Sequence, residues 1–446
     1  MTEQPQQQAN KWSFDSILIK LSVITVIILL LLIPAAWIQG LISDREGYQQ
    51  EETASVADKW SGKQLVEGPV LALPYRKLVT ETNSENKAVT HMVPKTLFIL
   101  PQSLKIKAGV KTELFQSGIY DAVVYNSNVS LNGVFDKPDL AGAGIDPGDV
   151  LYDKARLIFG ITDLKGLKNN PLVKVQEVDY SPEPAAGDHL PFENGLQVNF
   201  PLQKDRGFSF SYDLTIKGSN ELNFLDIGKT TEVEVNSDWL HPNFNGRYLP
   251  DSRTVGDKGF GAKWHMVYYN RPFPQQWTDL DSVLTSKKAQ AEAVFGVKLQ
   301  LPIDQYRKVM RTTKYSTLII LLTFVSLFLA EMIKKERIHL FNYTLIGAAM
   351  VVYYTLLLSF SEQIGYNYAY LLSSVSTIAL ISIFTASLLK NGRVAALFAG
   401  ILSLFYGFIF IIIQLEELSL LFGSVALFII IATLMYFSRK INWDKH

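Results

Sequence analysis

Apolar residues crowd into six runs along this chain, and between the first two runs the pattern changes period. Residues 17–38 (ILIKLSVITVIILLLLIPAAWI) form a nearly unbroken apolar stretch with Lys20 near its start. That length spans a bilayer, and a lysine near one end can snorkel. A cleaved signal peptide has a shorter apolar core and small residues at its cleavage site; here bulky Trp37 and Ile38 follow the two alanines. The run therefore reads as an uncleaved signal anchor. Five more apolar runs follow at 316–333, 343–360, 368–389, 394–413 and 418–437. Their short connections predict antiparallel helical neighbours.

Roughly 270 residues separate the first run from the second, enough for one large domain or two smaller ones. Residues 41–60 are polar and read as a helix continuing the first run. Beyond Gly62 the period becomes two. SLKIKAGVKTELFQSGIYDAVVYNSNVSLNGVF (103–135), RGFSFSYDLTIKGSNELNFL (206–225) and TTEVEVNSDW (230–239) alternate apolar with polar residues and are rich in Val, Ile, Phe, Tyr and Thr. This pattern predicts antiparallel strands with one face inward, in a sandwich-like layered architecture. DLAGAGIDPGD (139–149) and DYSPEPAAGD (179–188) read as loops. Residues 275–294 have helical spacing, with Asp281 or Thr278 as candidate caps. The expected fold class is thus an α+β membrane protein: a signal-anchor helix, a large antiparallel β-rich domain, and a C-terminal five-helix block.

Positive residues set the expected orientation. The link after the second run carries Lys334, Lys335 and Arg337; the next, SEQIGYN, carries no Lys or Arg. KNGR follows with Lys390 and Arg393, then QLEE with neither, then a tail with Arg439, Lys440 and Lys445. The alternation places both termini in the cytoplasm and residues of about 40–314 outside. The expected organisation is a cytoplasmic segment 1–16, a first span 17–38, an outer domain 39–315, a membrane block 316–437 and a cytoplasmic tail 438–446. Arg307, Lys308, Arg311 and Lys314 cluster just outside the second span, against the usual bias, which a long translocated domain escapes. They form either a solvated collar or a face toward anionic head groups.

Composition narrows the chemistry. The chain holds no cysteine, so disulfides, thiolate metal sites and thiol nucleophiles are excluded. Its formal net charge of zero gives no case for a nucleic-acid partner. The six histidines form no metal-ligand spacing, GDKGFGAKW (256–264) lacks the ending of a phosphate-binding loop, and AGAGIDPG lacks the setting of a dinucleotide fingerprint. No nucleophile elbow occurs. No catalytic, cofactor or metal residue is assigned, and an enzyme is not expected.

Three places remain as candidates. NSDWLHPNFNGRYLP (236–250) has neither helical nor strand period, and His241, Phe244 and Tyr248 are its candidate interaction residues. His241-Pro242 and Leu249-Pro250 force extended backbone, Asn245-Gly246 is a turn dipeptide, and Trp239, Phe244 and Tyr248 fold the segment onto the β core. It is either a structural connection or a binding surface. Glu331, near the cytoplasmic end of the second span, either pairs with Lys334 and Lys335 or meets another helix. Glu362, at the outer end of the third span, is either a polar cap at head-group level or a contact for the outer domain or a small ligand. Neither glutamate sits at the midplane, where a transporter places its polar groups.

These residues also carry a resemblance. WLHPNFNGRYLP (239–250) followed by GFGAKW, FGVKLQLPIDQY (295–306), RTTKYSTLIILLTFVSLFLAE (311–331) and RIHLFNYTLIGAAMVVYYTLLLSFSEQIGYNYAYL (337–371) resemble the CreD family of inner-membrane proteins over nearly the whole chain. Two positions depart from the family pattern: Gln363 stands where a histidine is usual, and Leu340 where a proline often follows His339. That favours structural roles for both motifs. The resemblance implies a Gram-negative inner membrane, a periplasmic outer domain, and a role in envelope integrity linked to a two-component regulon, colicin tolerance and β-lactam response. It implies no reaction. The expected partners are the lipid bilayer and an envelope protein or cell-wall component; a transporter or lipid-handling role for the helical block is the alternative.

Overall fold

The computed structural model describes residues 15–82, 88–186, 190–278, 283–284, 286–299, 301, 305–334, 338–390, 392–415 and 419–438. The chain divides into two compact units, Gln50–Pro302 and Met1–Gln49 with Ile303–His446. The first helix, α1 (Asp15–Trp60), runs without interruption through the predicted anchor and the polar segment after it.

The first unit is β-rich. In chain order its strands are β1 (Gln64–Thr82), β2 (Ala88–Ile99), β3 (Ser103–Ser117), β4 (Tyr120–Phe135), β5 (Ala155–Ile161), β6 (Val173–Val175), β7 (Val178–Tyr180), β8 (Glu183–Pro184), β9 (Gly195–Phe200), β10 (Phe208–Ser219), β11 (Glu221–Leu225), β12 (Thr230–Ser237), β13 (Pro242–Gly246), β14 (Ser252–Gly256), β15 (Gly259–Val267), β16 (Gln276–Thr278) and β17 (Val294–Leu299). One sheet orders them β13-β17-β11-β1-β5-β9-β8, with β2 and β16 branching from β1; the other orders them β14-β15-β12-β3-β4-β10-β6-β7.

The alternation read from sequence recurs in the burial of β3 as far as Val110 and of β10 and β12, and β15 shares it; β4 departs from it, burying Ala122, Val123, Val124 and Tyr125 in succession. Side chains from both sheets, among them Ile106, Leu131, Leu214, Val235, Leu157, Phe159, Phe224 and Phe295, merge into one apolar core. β1 and β5 are buried on both faces, with Val70, Leu71, Ala72, Leu73, Leu157 and Ile158 fully enclosed. The 139–149 loop contributes to that enclosure by setting Leu140 and Ile145 into the core.

Three expectations are corrected. The sheets are not purely antiparallel: β1 runs parallel to β11, and β3 parallel to β12. Alternation within a strand reports which face is buried and is blind to the direction of the neighbour. Residues 275–294 do not form one helix. Gln276–Thr278 pairs with β2, so Thr278 lies in a strand, and the helix α2 is only Lys287–Ala291; Asp281 lies outside the described residues. Pairing buries Trp277 against Phe98, their ring centroids 5.5 Å apart, which outweighs local helix preference. Finally, the 179–188 segment is not all loop, because β7 ends in it and β8 lies within it.

In the second unit, α3 (Gln305–Lys314) is followed by α4 (Ser316–Lys334), α5 (Leu340–Ile364), α6 (Tyr366–Leu389), α7 (Gly392–Gln414) and α8 (Ser419–Ser438). Among the described residues, four helices are long and apolar enough to cross a membrane: Ile19–Trp60, Leu340–Ile364, Tyr366–Leu388 and Ala395–Gln414. A fifth candidate is the pair Gln305–Lys314 and Ser316–Met332, bent by 41°. The link between α5 and α6 shrinks to Gly365, whose φ of 78° lets the chain reverse in one residue.

Candidate functional sites

The 236–250 segment is more ordered than its sequence suggests. Pro242–Gly246 forms β13 and pairs antiparallel with β17. Asn245-Gly246 therefore closes a strand and does not turn a hairpin. Gly246 has φ 88°, and a Cβ there would lie 2.2 Å from the Val294 carbonyl oxygen. The aromatic residues point inward. Phe244 meets Phe260 and Trp264 edge-on, at 5.7 and 5.8 Å between centroids. Tyr248 Oη donates to the Asn270 carbonyl at 2.6 Å, and the Tyr248 carbonyl accepts from Trp264 Nε1 at 3.1 Å. Trp239 Nε1 donates to the carbonyl of exposed His241 at 3.1 Å.

The start of the same segment faces outward. Asn236, Ser237 and Asp238 line an open cleft of about 940 Å³ on the second sheet. Register explains its shape. Thr254 pairs with Gly261, Gly261 with Asn236, Asn236 with Gly109, and Gly109 with Asn128. Partners in register share a face, so two glycines alternate with polar side chains and leave a trough. Lys111 and Asn126 form the next row. Asp238 is held in place: its Oδ1 accepts from the Thr112 N–H at 2.9 Å and from Thr112 Oγ1 at 2.8 Å. Amide, hydroxyl, ammonium and carboxylate groups thus converge on a floor without side chains. Such a surface offers both donors and acceptors to an extended polar chain. Sequence reading missed it because β3 and β4, β12, and β14 and β15 are brought together only by sheet pairing between segments far apart in the chain.

Asp226 and Glu67 are buried acids elsewhere in the β unit whose carboxyls are pushed up. Asp226 is 1% exposed, and among the described residues no hydrogen bond of normal geometry reaches either carboxylate oxygen. Burial raises its pKa to about 6, against the opposing pull of Thr231 and Arg271. Arg271 is itself buried, donating from Nε to the Phe273 carbonyl at 3.1 Å and from Nη2 to Gln275 Oε1 at 2.9 Å. Glu67 is raised to about 7, by burial first and by the charge of Glu193 second.

In the helical unit, Glu331 is buried and meets another helix. Lys20 of α1 donates to its Oε1 and also to the Ile338 carbonyl, the latter at 2.8 Å. Tyr343 Oη of α5 donates to Glu331 Oε2 at 3.1 Å. Three helices therefore share one carboxylate. The alternative partners from sequence, the side chains of Lys334 and Lys335, lie outside the described residues. Glu362 Oε1 accepts from Tyr306 Oη of α3 at 2.9 Å, and Arg45 Nε of α1 lies 3.9 Å away. A further feature escaped sequence reading. Tyr353, Tyr354, Tyr370 and Tyr406 are buried together, with Tyr353 centred 4.8 Å from both Tyr354 and Tyr406. Tyr370 Oη donates to the Tyr406 carbonyl at 2.6 Å, whereas the hydroxyls of Tyr354, Tyr406 and Ser373 have no partner among the described residues. Tyrosine counts as apolar in a hydropathy pattern, so the spans look plain.

A β-rich unit joined to helices long and apolar enough to cross a membrane defines an α+β membrane protein. Residues 16–444 match the family described as inner membrane protein CreD. The chain belongs to the CreD family. It is 28% identical over 423 residues to the inner membrane protein CreD of Escherichia coli (strain K12), covering 93% of this chain and 91% of that protein. Among solved structures, an M1 zinc metallopeptidase from Deinococcus radiodurans matches 50% of this chain and 54% of its own at 9% identity, with a TM-score of 0.21, which carries no argument.

Proposed function

We propose that the chain is a non-enzymatic envelope-integrity protein of the inner membrane, whose β unit captures a polar envelope component in the Asn236–Asp238 cleft. In this reading the chain crosses the membrane six times, both termini are cytoplasmic, and residues of about 40–314 are periplasmic. The Lys and Arg alternation of the links supports that orientation. The observation that carries the reading is the cleft, a glycine-floored trough lined by Asn, Lys, Asp and Thr. The aromatic part of the 236–250 segment anchors the cleft wall, and its first three residues do the contacting.

In-cell photo-crosslinking tests this. A photoreactive residue at Asn236 or Lys111 is expected to capture a reproducible protein or glycan adduct, identified by mass spectrometry. The same residue at Asn243, on β13, serves as the control. Equal capture at all three positions, or none at Asn236 and Lys111, overturns the assignment.

The buried hydroxyls of Tyr354, Tyr406 and Ser373 favour a second reading, in which the helical block handles a lipid or solute with Glu331 and Glu362 as its polar groups. Glu331→Gln and Glu362→Gln variants present at normal levels, with an intact envelope, remove that reading's support.

A further inference from the structure

α3 is amphipathic in an unusual sense. Its buried residues are Tyr306, Val309, Thr312 and Thr313. Its cations are Arg307, Lys308, Arg311 and Lys314. At ~100° per residue the four cations fall in an arc on the order of 120° wide, centred opposite the buried arc. The helix contains no acidic residue. Among the described residues, no carboxylate forms an ion pair with Lys308, Arg311 or Lys314.

The helix is held through its other side, leaving Arg307 and Lys314 exposed and Lys308 and Arg311 half-buried. Thr312 Oγ1 and Tyr366 Oη are 2.8 Å apart, and Tyr306 Oη donates to Glu362 Oε1 at 2.9 Å. Lys308 Nζ reaches over the Tyr366 ring, 5.8 Å from its centroid, and donates to Gln414 Oε1 at 3.5 Å. Gln414 Nε2 in turn donates to Asn367 Oδ1 at 2.7 Å. A 41° bend separates α3 from the apolar α4. A short cationic helix turned away from an apolar one, at the edge of the apolar block, is the geometry of an interfacial helix.

We propose that the outward face of α3 binds the phosphodiester head groups of anionic phospholipids. The guanidinium of Arg311 and the ammonium of Lys314 contact the phosphates directly, and the Lys308–Gln414–Asn367 chain supplies a polar shelf for the glycerol head group. Zwitterionic lipids carry a choline or ethanolamine cation that such a face repels. The proposal needs only that the apolar helices lie in a bilayer; it does not depend on which compartment α3 faces, or on the cleft.

The test uses full-length protein reconstituted in phosphatidylcholine vesicles, with spin-labelled phosphatidylglycerol and spin-labelled phosphatidylcholine as probes. Electron paramagnetic resonance reads the motionally restricted fraction of each. The glycerol lipid is expected to associate more strongly, and its preference to fall as salt is added. Arg311→Gln with Lys314→Gln is expected to reduce that preference roughly 5-fold per charge removed. Arg311→Lys keeps the charge and is expected to retain most of it, which guards against a folding artefact. Equal association of the two probes with the unmodified protein overturns the proposal. So does an equal loss from Lys390→Gln with Arg393→Gln, which would mark a general charge effect. Displacement of the lipid probe by millimolar glycerol phosphate would mark a soluble-anion site and overturn it as well.

Discussion

Asp226 and Glu67 show what a single buried residue does to the β unit. Both carboxyls titrate higher in the folded chain than in the unfolded one, to about 6 and about 7, because burial penalises the charged form. The folded state therefore holds its proton where the unfolded state has released it. Stability is highest below the unfolded values of 3.8 and 4.5, and falls as pH rises through the window up to the folded values. Each group costs on the order of 3 kcal/mol above that window. Chemical denaturation of the full chain between pH 4 and pH 8 is expected to show the decline, and Asp226→Asn and Glu67→Gln each to flatten part of it. A flat profile in the unmodified protein would contradict the assignment. Nothing in the sequence marks these two acids among the 42 acidic residues of the chain. Their environment is made by strands distant in sequence. Phe244 and Tyr248 were legible as core-facing because large aromatics beside Pro and Gly have little else to do.

At the scale of elements, what was legible depended on how local the signal is. The breaks between the apolar runs and the burial rhythm of β10 and β12 come from neighbouring residues and were readable, whereas the strand at Gln276–Thr278 and the separate helix α3 were not. Partners were not. Glu331 could be placed near a span's end, but Lys20 lies 311 residues away. The carboxylate joins α1, α4 and α5, with Tyr343 as its third member. A buried charge pair contributes little net stability when intact, yet removing one partner strands the other. Glu331→Leu or Lys20→Met alone is therefore expected to cost about 3–5 kcal/mol, read as a lower melting temperature of the detergent-solubilised protein. The double variant is expected to recover most of that loss. If the single and double variants lose stability additively, the two residues act separately and the fastening role fails. The same contact ties α1 to both α4 and α5 within the helical unit.

At the scale of the whole molecule, orientation is the property on which the proposed role depends, and a chain with no cysteine is well suited to measuring it. Single cysteines introduced into this background carry the entire signal. Alternation of Lys and Arg among the links assigns Asn391 to the cytoplasm and Glu417 to the outside. In the proposed orientation Ser237, at the cleft, lies outside with the β unit. A membrane-impermeant maleimide added to intact cells is expected to label Ser237→Cys and Glu417→Cys, and to reach Asn391→Cys and Thr2→Cys only after the membrane is permeabilised. The pattern is demanding because each position reports independently. Label at Asn391 in intact cells would invert the α6–α7 hairpin. Protection at Ser237 would put the cleft in the cytoplasm, where no wall or periplasmic component can reach it, and the capture proposal would fail with it. Protection at Glu417 alone, with the others as expected, would leave the cleft outside and reduce the number of crossings, because α7 would then no longer carry the chain out through the bilayer. The four positions together separate a wrong topology from a wrong ligand, which crosslinking at the cleft cannot do by itself.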